Sequence, residues 1–162
     1  MEKQKDDMEN KRYKILNTYV NALTMDETVA EIEKIISSGE PTQHVVVNAS
    51  KVNMMEENTK LRNIVNSCPL INADGASIIW AAKRLGVPLK ERVTGIDLFL
   101  RLVKLASEKE YKIYLFGAKE EVVLKTKYIL EKQYPGIKIV GYRNGYFTEL
   151  RSEERRVGKE CR

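Results

Sequence analysis

An apolar run that stops at an acidic turn lies near the middle of the chain: Leu70-Ile71-Asn72-Ala73-Asp74-Gly75-Ala76-Ser77-Ile78-Ile79-Trp80. The part up to Ala73 is typical of a short buried strand. The part after Gly75 is typical of a buried helix up to Leu85, with Gly86 as its C-terminal cap. The pattern therefore predicts strand, tight turn and helix, with Asp74 at the carboxyl end of the strand. Open α/β sheets bind their ligands at that edge.

Two interpretations of Asp74 are open on sequence grounds. Asp-Gly is a common turn pair and aspartate is a common helix N-cap, so a structural role is the simpler explanation of this residue alone. A carboxylate at a ligand-binding edge would also serve as a general base. The second interpretation gains weight from polar groups that follow other predicted strands.

Strand-like and helix-like segments alternate along the chain. A strand or edge hairpin is predicted over Tyr13 to Val20, and Thr24-Met25-Asp26-Glu27 fits a capping box that opens a helix. Gly39 and Pro41 are expected to end that helix. Further strands are predicted over 44–47, 112–116 and 137–140. Helices are predicted over 51–68 with a break near Asn58, over 96–110, and from about 122 to a stop at 134–136. The alternation predicts an α/β fold, a Rossmann-like and mostly parallel sheet flanked by helices in a single domain.

Composition excludes several classes of protein. The 162 residues are 43% apolar and 31% charged with a net charge of +5, and no apolar run has the length of a membrane-spanning helix. Basic residues are neither clustered nor interleaved with aromatic ones, which argues against nucleic-acid binding and leaves a phosphate-bearing ligand or an anionic membrane surface. No Cys and His residues have metal-ligand spacing, and the lone His44 is expected to be structural.

Both ends of the chain differ from its middle. Residues 1–12 are charged and lack the apolar region of a signal peptide, so a disordered lead-in is expected there. Residues 151–162 hold a single large aliphatic residue, Val157, and show no periodicity, so a non-native or disordered tail is expected. The folded α/β domain is accordingly expected over 13–150.

Candidate ligand-binding groups follow predicted strands or open predicted helices: Asn48, Asp74, the loop from Arg92 to Asp97, and Gly117 with Ala118. In a parallel sheet these positions share one edge, where free helix N–H groups suit a phosphate. Arg92 has the fork that matches phosphate oxygens, although a solvated loop charge also explains it. Asp97 fits a helix cap, a partner for Arg92 or a ligand for a sugar hydroxyl, and Gly117 fits a plain turn equally well.

Several familiar motifs are absent. The chain contains neither the G-x-G-x-x-G pattern nor the G-x-x-x-x-G-K-[ST] pattern, and no Asp-x-Asp pair that would hold a metal for a nucleotide sugar. No metal and no cofactor are therefore expected. If the ligand is a nucleotide sugar, cationic side chains must stabilise the leaving diphosphate.

The motifs taken together resemble the WecG/TagA/CpsF family of bacterial glycosyltransferases. The matching pieces, in the family's order, are Val47-Asn48-Ala49-Ser50-Lys51, Asn72-Ala73-Asp74-Gly75, Glu91-Arg92-Val93-Thr94-Gly95-Ile96-Asp97, Tyr114-Leu115-Phe116-Gly117-Ala118, Tyr134-Pro135-Gly136 and Asn144-Gly145-Tyr146-Phe147. The resemblance implies an inverting, metal-independent transferase. It would move N-acetylmannosamine or a related N-acetylhexosamine from a UDP donor to a polyprenyl-diphosphate-linked acceptor, in teichoic acid, capsule or other surface polysaccharide synthesis.

The resemblance also implies roles and a location. Asp74 matches the general base, Arg92 an arginine near the donor and Asn48 a polar residue of the same pocket. Asp97, Gly117 and Ala118 are the further substrate-binding candidates. The implied enzyme is cytoplasmic and peripheral to the inner face of the cell membrane. It has no nucleic-acid partner, and homo-oligomers are compatible with it.

Two departures from the family pattern leave alternatives open. Val46 stands where better-studied members have a threonine, which points to a different sugar or a capsule-type branch. The family's Gly-x-Gly-x-Pro-x-Gln-Glu motif and C-terminal appendage are not found, so a C-terminally truncated chain is expected. An inactive nucleotide-binding remnant is therefore the alternative, and a flavodoxin-like or dehydrogenase-like cofactor domain is a weaker third hypothesis.

Overall fold

The computed structural model describes residues 12–146. The elements in this range are β1 (Arg12–Ile15), β2 (Thr18–Asn21), α1 (Met25–Ser38), β3 (His44–Val47), α2 (Ala49–Glu57), α3 (Thr59–Ser67), β4 (Leu70–Ala73), α4 (Ala76–Arg84), α5 (Gly95–Glu108), β5 (Lys112–Phe116), α6 (Glu120–Gln133) and β6 (Lys138–Arg143). Arg12, the last residue of the expected lead-in, opens β1. The rest of that lead-in, the expected tail over 151–162 and Phe147 lie outside the described residues.

The mixed α/β class and the parallel pairing are confirmed. Within the described residues β3 pairs with β4 and β5 pairs with β6 in parallel, while β1 and β2 form an antiparallel hairpin. The chain divides into two compact units, with the boundary between Arg101 and Leu102 inside α5. Each unit contains one of the parallel pairs, and each is described by itself.

The first unit opens with the hairpin and a capped helix. Ile15 and Val20 of the hairpin are fully buried. The capping box predicted for α1 is confirmed, because the Thr24 hydroxyl accepts the Glu27 N–H at 3.2 Å and the Glu27 carboxylate accepts the Thr24 N–H at 2.8 Å. Gly39, in the left-handed region, ends this helix.

The parallel pair of the first unit runs in register from His44 opposite Leu70 to Val47 opposite Ala73. All four residues of β4 are buried. The apolar core around this pair is drawn from both strands, the hairpin and α2 to α4: Ile15, Val20, Val47, Val52, Met55, Val65, Cys68, Ile71, Ala73, Ile78 and Ala82. Such a core holds the carboxyl ends of β3 and β4 side by side.

A polar connection crosses the buried side of this pair. Asn72 is fully buried, its amide nitrogen donates to the Thr28 hydroxyl at 2.9 Å, and its oxygen lies 2.8 Å from His44 Nε2. Burial lowers the pKa of His44 below 6.5, against the opposing effect of the Asn72 bond. His44 therefore has the structural setting expected for it.

The helix that follows Asp74 is less buried than its composition predicts. In α4 the buried residues are Ile78 and Ala82, whereas Trp80 is 66% exposed with the Arg84 guanidinium 5.8 Å from its ring centre. A single face of a nine-residue helix packs on the core, so apolar residues on the other face meet water. The predicted stop is confirmed, since α4 ends at Arg84 and Gly86 adopts a φ of +70°.

The second unit contains β5, α6 and β6. Its core consists of Val103, Leu115, Val123 and Leu130, with Tyr134, Ile137 and Ile139 packed against them. β6 extends to Arg143, beyond the predicted end at Val140, because Gly141 continues the pairing opposite Tyr114 after a register shift. A Cβ on Gly141 would lie 2.6 Å from the Tyr114 ring, so glycine allows the ring to cover the strand.

Candidate functional site

Asn48 and Asp74 lie next to each other at the carboxyl edge of the first unit. Each is the first residue after its strand, and the Asp74 N–H donates to the Val47 carbonyl at 2.8 Å, which continues the parallel ladder by one step. Asn48 is exposed and its side chain caps α2 by accepting the Lys51 N–H at 2.9 Å. The expected meeting of these two residues at one edge is confirmed.

The carboxylate of Asp74 does not cap the helix that follows it. Gly75 is the N-cap of α4, so Asp74 does not take the N-cap position at this helix. Asp74 Oδ2 instead lies 3.4 Å from the Gly95 N–H at the start of α5, a long hydrogen bond. A carboxylate offers about four lone-pair positions, so the half-buried Asp74 retains acceptor capacity for an incoming hydroxyl.

The loop that carries Arg92 runs alongside the end of β4. The Val93 N–H donates to the Ala73 carbonyl at 3.0 Å, and the Val93 side chain is buried. This bond joins the residue after Arg92 to the residue before Asp74, so the backbones of the two candidates are adjacent. The Arg92 side chain is exposed and forms no hydrogen bond or ion pair with another residue of the 12–146 range.

The same loop is attached to the N-terminus of α1 by two side chains that the sequence analysis did not single out. Glu91 Oε1 accepts the Met25 N–H at 2.6 Å, and Lys90 Nζ lies 2.5 Å from Glu27 Oε1. The Lys90 bond and the Thr24 N–H together lower the pKa of the Glu27 carboxyl. Glu91 lies in a motif quoted above, but its partner is 66 residues away, so sequence spacing offered no signal for the contact.

Asp97 belongs to the cap of α5. The Asp97 N–H donates to Thr94 Oγ1 at 3.1 Å, and the Thr94 hydroxyl is hydrogen-bonded to the Asp97 carboxylate. The cap that the sequence analysis left open is therefore present, and no ion pair joins Asp97 to Arg92 among the described residues. A sugar-binding role for Asp97 stays a prediction.

Gly117 and Ala118 lie in the second unit, where they form a tight turn after β5. Gly117 has a φ of +131° and Ala118 one of +57°. The turn packs closely against the loop after β6, because the Gly145 N–H donates to the Ala118 carbonyl at 2.9 Å and a Cβ on Gly145 would lie 3.3 Å from Gly117 Cα. Close packing thus explains Gly145, and the positive φ explains Gly117.

A phosphate at the start of α6 would meet negative charge. Glu120 and Glu121 occupy the first turn of that helix, and Glu120 accepts a 2.6 Å hydrogen bond from Asn144. Carboxylates at a helix N-terminus already match its positive partial charge. The substrate contact proposed for Gly117 and Ala118 therefore stays a prediction without support from this geometry.

These features define a class of protein. It is an α/β protein in which a carboxylate, an asparagine and an arginine-bearing loop gather at the carboxyl edge of a parallel strand pair, the edge at which such folds bind ligands. Within residues 12–146, no group of three or more His, Cys, Asp and Glu residues could hold a metal ion. No helix in that range is long and apolar enough to span a membrane.

Comparison with known proteins gives the family. The pattern described as "Glycosyl transferase WecG/TagA/CpsF family" matches residues 13–161, nearly the whole chain. The chain belongs to this family, as its motifs predicted.

Two relatives carry the name N-acetylglucosaminyldiphosphoundecaprenol N-acetyl-beta-D-mannosaminyltransferase. The one from Staphylococcus aureus (strain NCTC 8325 / PS 47) is 30% identical over 134 residues, which cover 82% of this chain and 52% of the relative. The one from Bacillus spizizenii (strain ATCC 23059 / NRRL B-14472 / W23) is 32% identical over 95 residues, which cover 59% of this chain and 37% of the relative. The chain thus spans about half the length of these relatives or less.

Val46, the position at which the resemblance fails, borders the candidate site. A Cβ on Gly95 would lie 4.0 Å from Val46 Cγ2, and Gly95 is the residue that donates to Asp74. Lys51 Nζ donates to the Val46 carbonyl at 2.7 Å. An apolar methyl group of Val46 therefore lies close to the start of α5.

Proposed function

We propose that this chain is the catalytic α/β part of an inverting glycosyltransferase of the WecG/TagA/CpsF family. The transferred sugar is N-acetylmannosamine or a related N-acetylhexosamine, the donor is a UDP-sugar, and the acceptor is a sugar linked to polyprenyl diphosphate. The observation that carries the proposal is the convergence of Asp74, Asn48 and the Arg92 loop at one strand edge, in a chain that belongs to this family.

Asp74 is the general base in this mechanism. The acceptor hydroxyl oxygen attacks the anomeric carbon of the donor from the face opposite the leaving group, its proton passes to Asp74, and the bond from the anomeric carbon to the diphosphate oxygen breaks. A single displacement of this kind inverts the anomeric configuration. The carboxylate suits the role because it is half-buried and holds a single long bond from Gly95 within the described range.

Arg92 compensates the charge that develops on the leaving diphosphate. Its guanidinium has no competing partner among residues 12–146, and its two-pronged geometry fits phosphate oxygens. Asn48 borders the same edge and is the candidate for a sugar or nucleotide contact. In this mechanism the Arg92 side chain, and no metal ion, compensates the charge of the leaving diphosphate, so transfer should proceed in the presence of EDTA.

The names of the relatives support the proposed acceptor and location. Their names give a GlcNAc-diphosphoundecaprenol acceptor and an N-acetylmannosaminyl group transferred to it. A lipid-linked acceptor requires contact with the membrane surface, so we place the enzyme at the inner face of the cell membrane. The product would serve wall teichoic acid, capsule or another surface polysaccharide.

Asp74→Asn tests the base, with Glu57→Gln as the matched control because Glu57 is an exposed carboxylate at the end of α2. Asp74→Asn should lower kcat at least about 100-fold, the lower range for loss of general-base catalysis, and leave UDP binding within about twofold. Glu57→Gln should behave as wild type in both measurements. Transfer by Asp74→Asn at nearly the wild-type rate would disprove the assignment.

The alternative is a nucleotide-binding remnant without transferase activity. The same strand edge also suits nucleotide binding alone, because the exposed Arg92 guanidinium fits phosphate oxygens. Calorimetric titration with UDP and a transfer assay on the same preparation separate the two functions. Binding without transfer supports the remnant, whereas transfer supports the enzyme.

A further inference from the structure

We propose that Glu91 is a positioning residue, which holds the Arg92 side chain at the donor site by attaching the Arg92 loop to the N-terminus of α1. The inference rests on the proposed function for the role of Arg92. The attachment itself is read from the contacts of residues 90–93 and does not depend on that role.

The N-terminus of α1 has a backbone donor that its own capping box does not satisfy. The box pairs Thr24 with Glu27 and leaves the N–H of Met25, the first helical residue, without an intrahelical acceptor. Glu91 Oε1 fills that place at 2.6 Å, a charge-assisted bond at the positive end of the helix dipole. Lys90 adds a second link through Glu27 at 2.5 Å.

The other side of the loop is attached to β4. Val93 is buried and its N–H donates to the Ala73 carbonyl at 3.0 Å. Arg92 therefore lies between two anchored neighbours, one on α1 and one on β4, and it is exposed while Val93 is buried. Anchoring both neighbours restricts the backbone of Arg92, so less conformational freedom is lost when its guanidinium binds a diphosphate.

Two substitutions at position 91 separate the hydrogen bond from the charge. Glu91→Gln keeps an oxygen that can accept the Met25 N–H, whereas Glu91→Ala removes the acceptor. Lys90→Ala cuts the second link and leaves Glu91 in place, so it provides a milder perturbation in the same direction. Far-UV circular dichroism establishes that each variant is folded.

Hydrogen–deuterium exchange measures the attachment directly. In Glu91→Ala we expect exchange of the Met25 amide and of the peptide covering residues 87–94 to accelerate about tenfold, because a partly exposed amide that loses its acceptor exchanges faster. Glu91→Gln should stay within about threefold of wild type, and Lys90→Ala should fall between the two. Unchanged exchange in Glu91→Ala would overturn the attachment.

Calorimetric titration with UDP measures the positioning. Glu91→Ala should weaken UDP binding about threefold to tenfold, and Glu91→Gln should restore most of that loss. In an Arg92→Ala background, Glu91→Ala should have no further effect, because the residue acts through Arg92. Equal weakening in both backgrounds, or none in the wild-type background, would overturn the positioning role.

The two proposals fail in different ways. If Arg92→Ala binds UDP as wild type does, the donor-site role of Arg92 fails and the positioning role fails with it. The exchange rates of Met25 and residues 87–94 would still decide whether Glu91 attaches the loop to α1. If Arg92→Ala weakens binding and Glu91→Ala does not, the proposed function stands and the positioning role is overturned.

Discussion

Replacement of Thr28 by valine tests the buried polar connection that joins α1, β3 and β4. The Thr28 hydroxyl accepts a 2.9 Å hydrogen bond from the Asn72 amide, and both residues are fully buried. Valine keeps the volume and removes the hydroxyl, so the Asn72 N–H would lose its acceptor in a place that water does not reach. The contact ties α1 to the strand that ends at Asp74, so the test bears on the frame of the candidate site.

The magnitude follows from the number of groups left without a partner. A buried donor without an acceptor costs about 1–3 kcal/mol, so Thr28→Val should lower the free energy of unfolding by that amount. Asn72→Ala leaves the Thr28 hydroxyl and the half-buried His44 nitrogen without Asn72, and it adds a small cavity. We expect Asn72→Ala to lower the free energy of unfolding by about 2–5 kcal/mol. The lost bond to His44 should contribute least, because the half-buried His44 side chain reaches solvent.

Urea unfolding is the assay, followed by far-UV circular dichroism and by fluorescence. Trp80, the one tryptophan of the sequence, lies in α4 of the first unit, so its signal reports on the unit that holds Thr28 and Asn72. With an m-value of about 1–3 kcal/mol/M, the midpoint for Thr28→Val should fall by about 0.3–3 M.

The double variant decides whether the two side chains act together. Once Asn72→Ala has removed the amide donor, Thr28→Val has no bond left to break and should cost close to nothing. The coupling free energy should therefore be about 1–3 kcal/mol, the full cost of Thr28→Val in the wild type. Effects that add within about 0.5 kcal/mol would refute the reasoning, because the two residues would then stabilise the unit independently.

Three further predictions concern pH, backbone strain and helix capping. As pH falls below 6.5, the unfolded chain should take up a proton on His44 before the folded chain does, so the free energy of unfolding should decrease. His44→Gln keeps a donor toward Asn72, and urea titrations should show that this part of the pH dependence is lost. Gly75→Ala should lower the free energy of unfolding by about 1–3 kcal/mol in thermal unfolding, because Gly75 has a φ of +92°. Gly86→Ala should lower it by about 1 kcal/mol, since Gly86 has a φ of +70° and no atom would lie within 4 Å of its Cβ. Equal stability of Gly75→Ala and wild type would contradict the expected backbone strain. Thr24→Ala should lower the unfolding free energy by about 1 kcal/mol, and Thr24→Ser, which keeps the hydroxyl, should change it little. Equal unfolding free energies of the alanine and serine variants would show that the cap does not stabilise α1.

Local signals in the sequence predicted most of the elements correctly. The Thr24–Glu27 box and Gly39 bound α1, and Asn58 divides α2 from α3 near the predicted break. Caps and turns depend on residues within a few positions of one another, so a reading along the chain can find them. The same reading predicted that Asn48 and Asp74 would meet, because both follow strands of a parallel pair.

Apolar composition overstated burial in α4. Six of its nine residues are apolar, yet Trp80 is mostly exposed and lies against Arg84. The number of apolar residues in a helix does not say how many faces have a partner, which is a property of the assembled layers. β6 ran past its predicted end for a related reason, since the pairing of Gly141 with β5 is a contact between distant segments.

The sequence by itself determined the family, the α/β class, the Thr24–Glu27 capping box and the set of candidate site residues, because each depends on residue identity or on the order of short patterns along the chain. Tertiary structure decided that the Asp74 carboxylate faces Gly95 and does not cap α4, and that Glu91 reaches Met25. The bonds to Gly95 and to Met25 span 21 and 66 positions. Chain folding alone brings such pairs within hydrogen-bonding distance, so no local pattern encodes them.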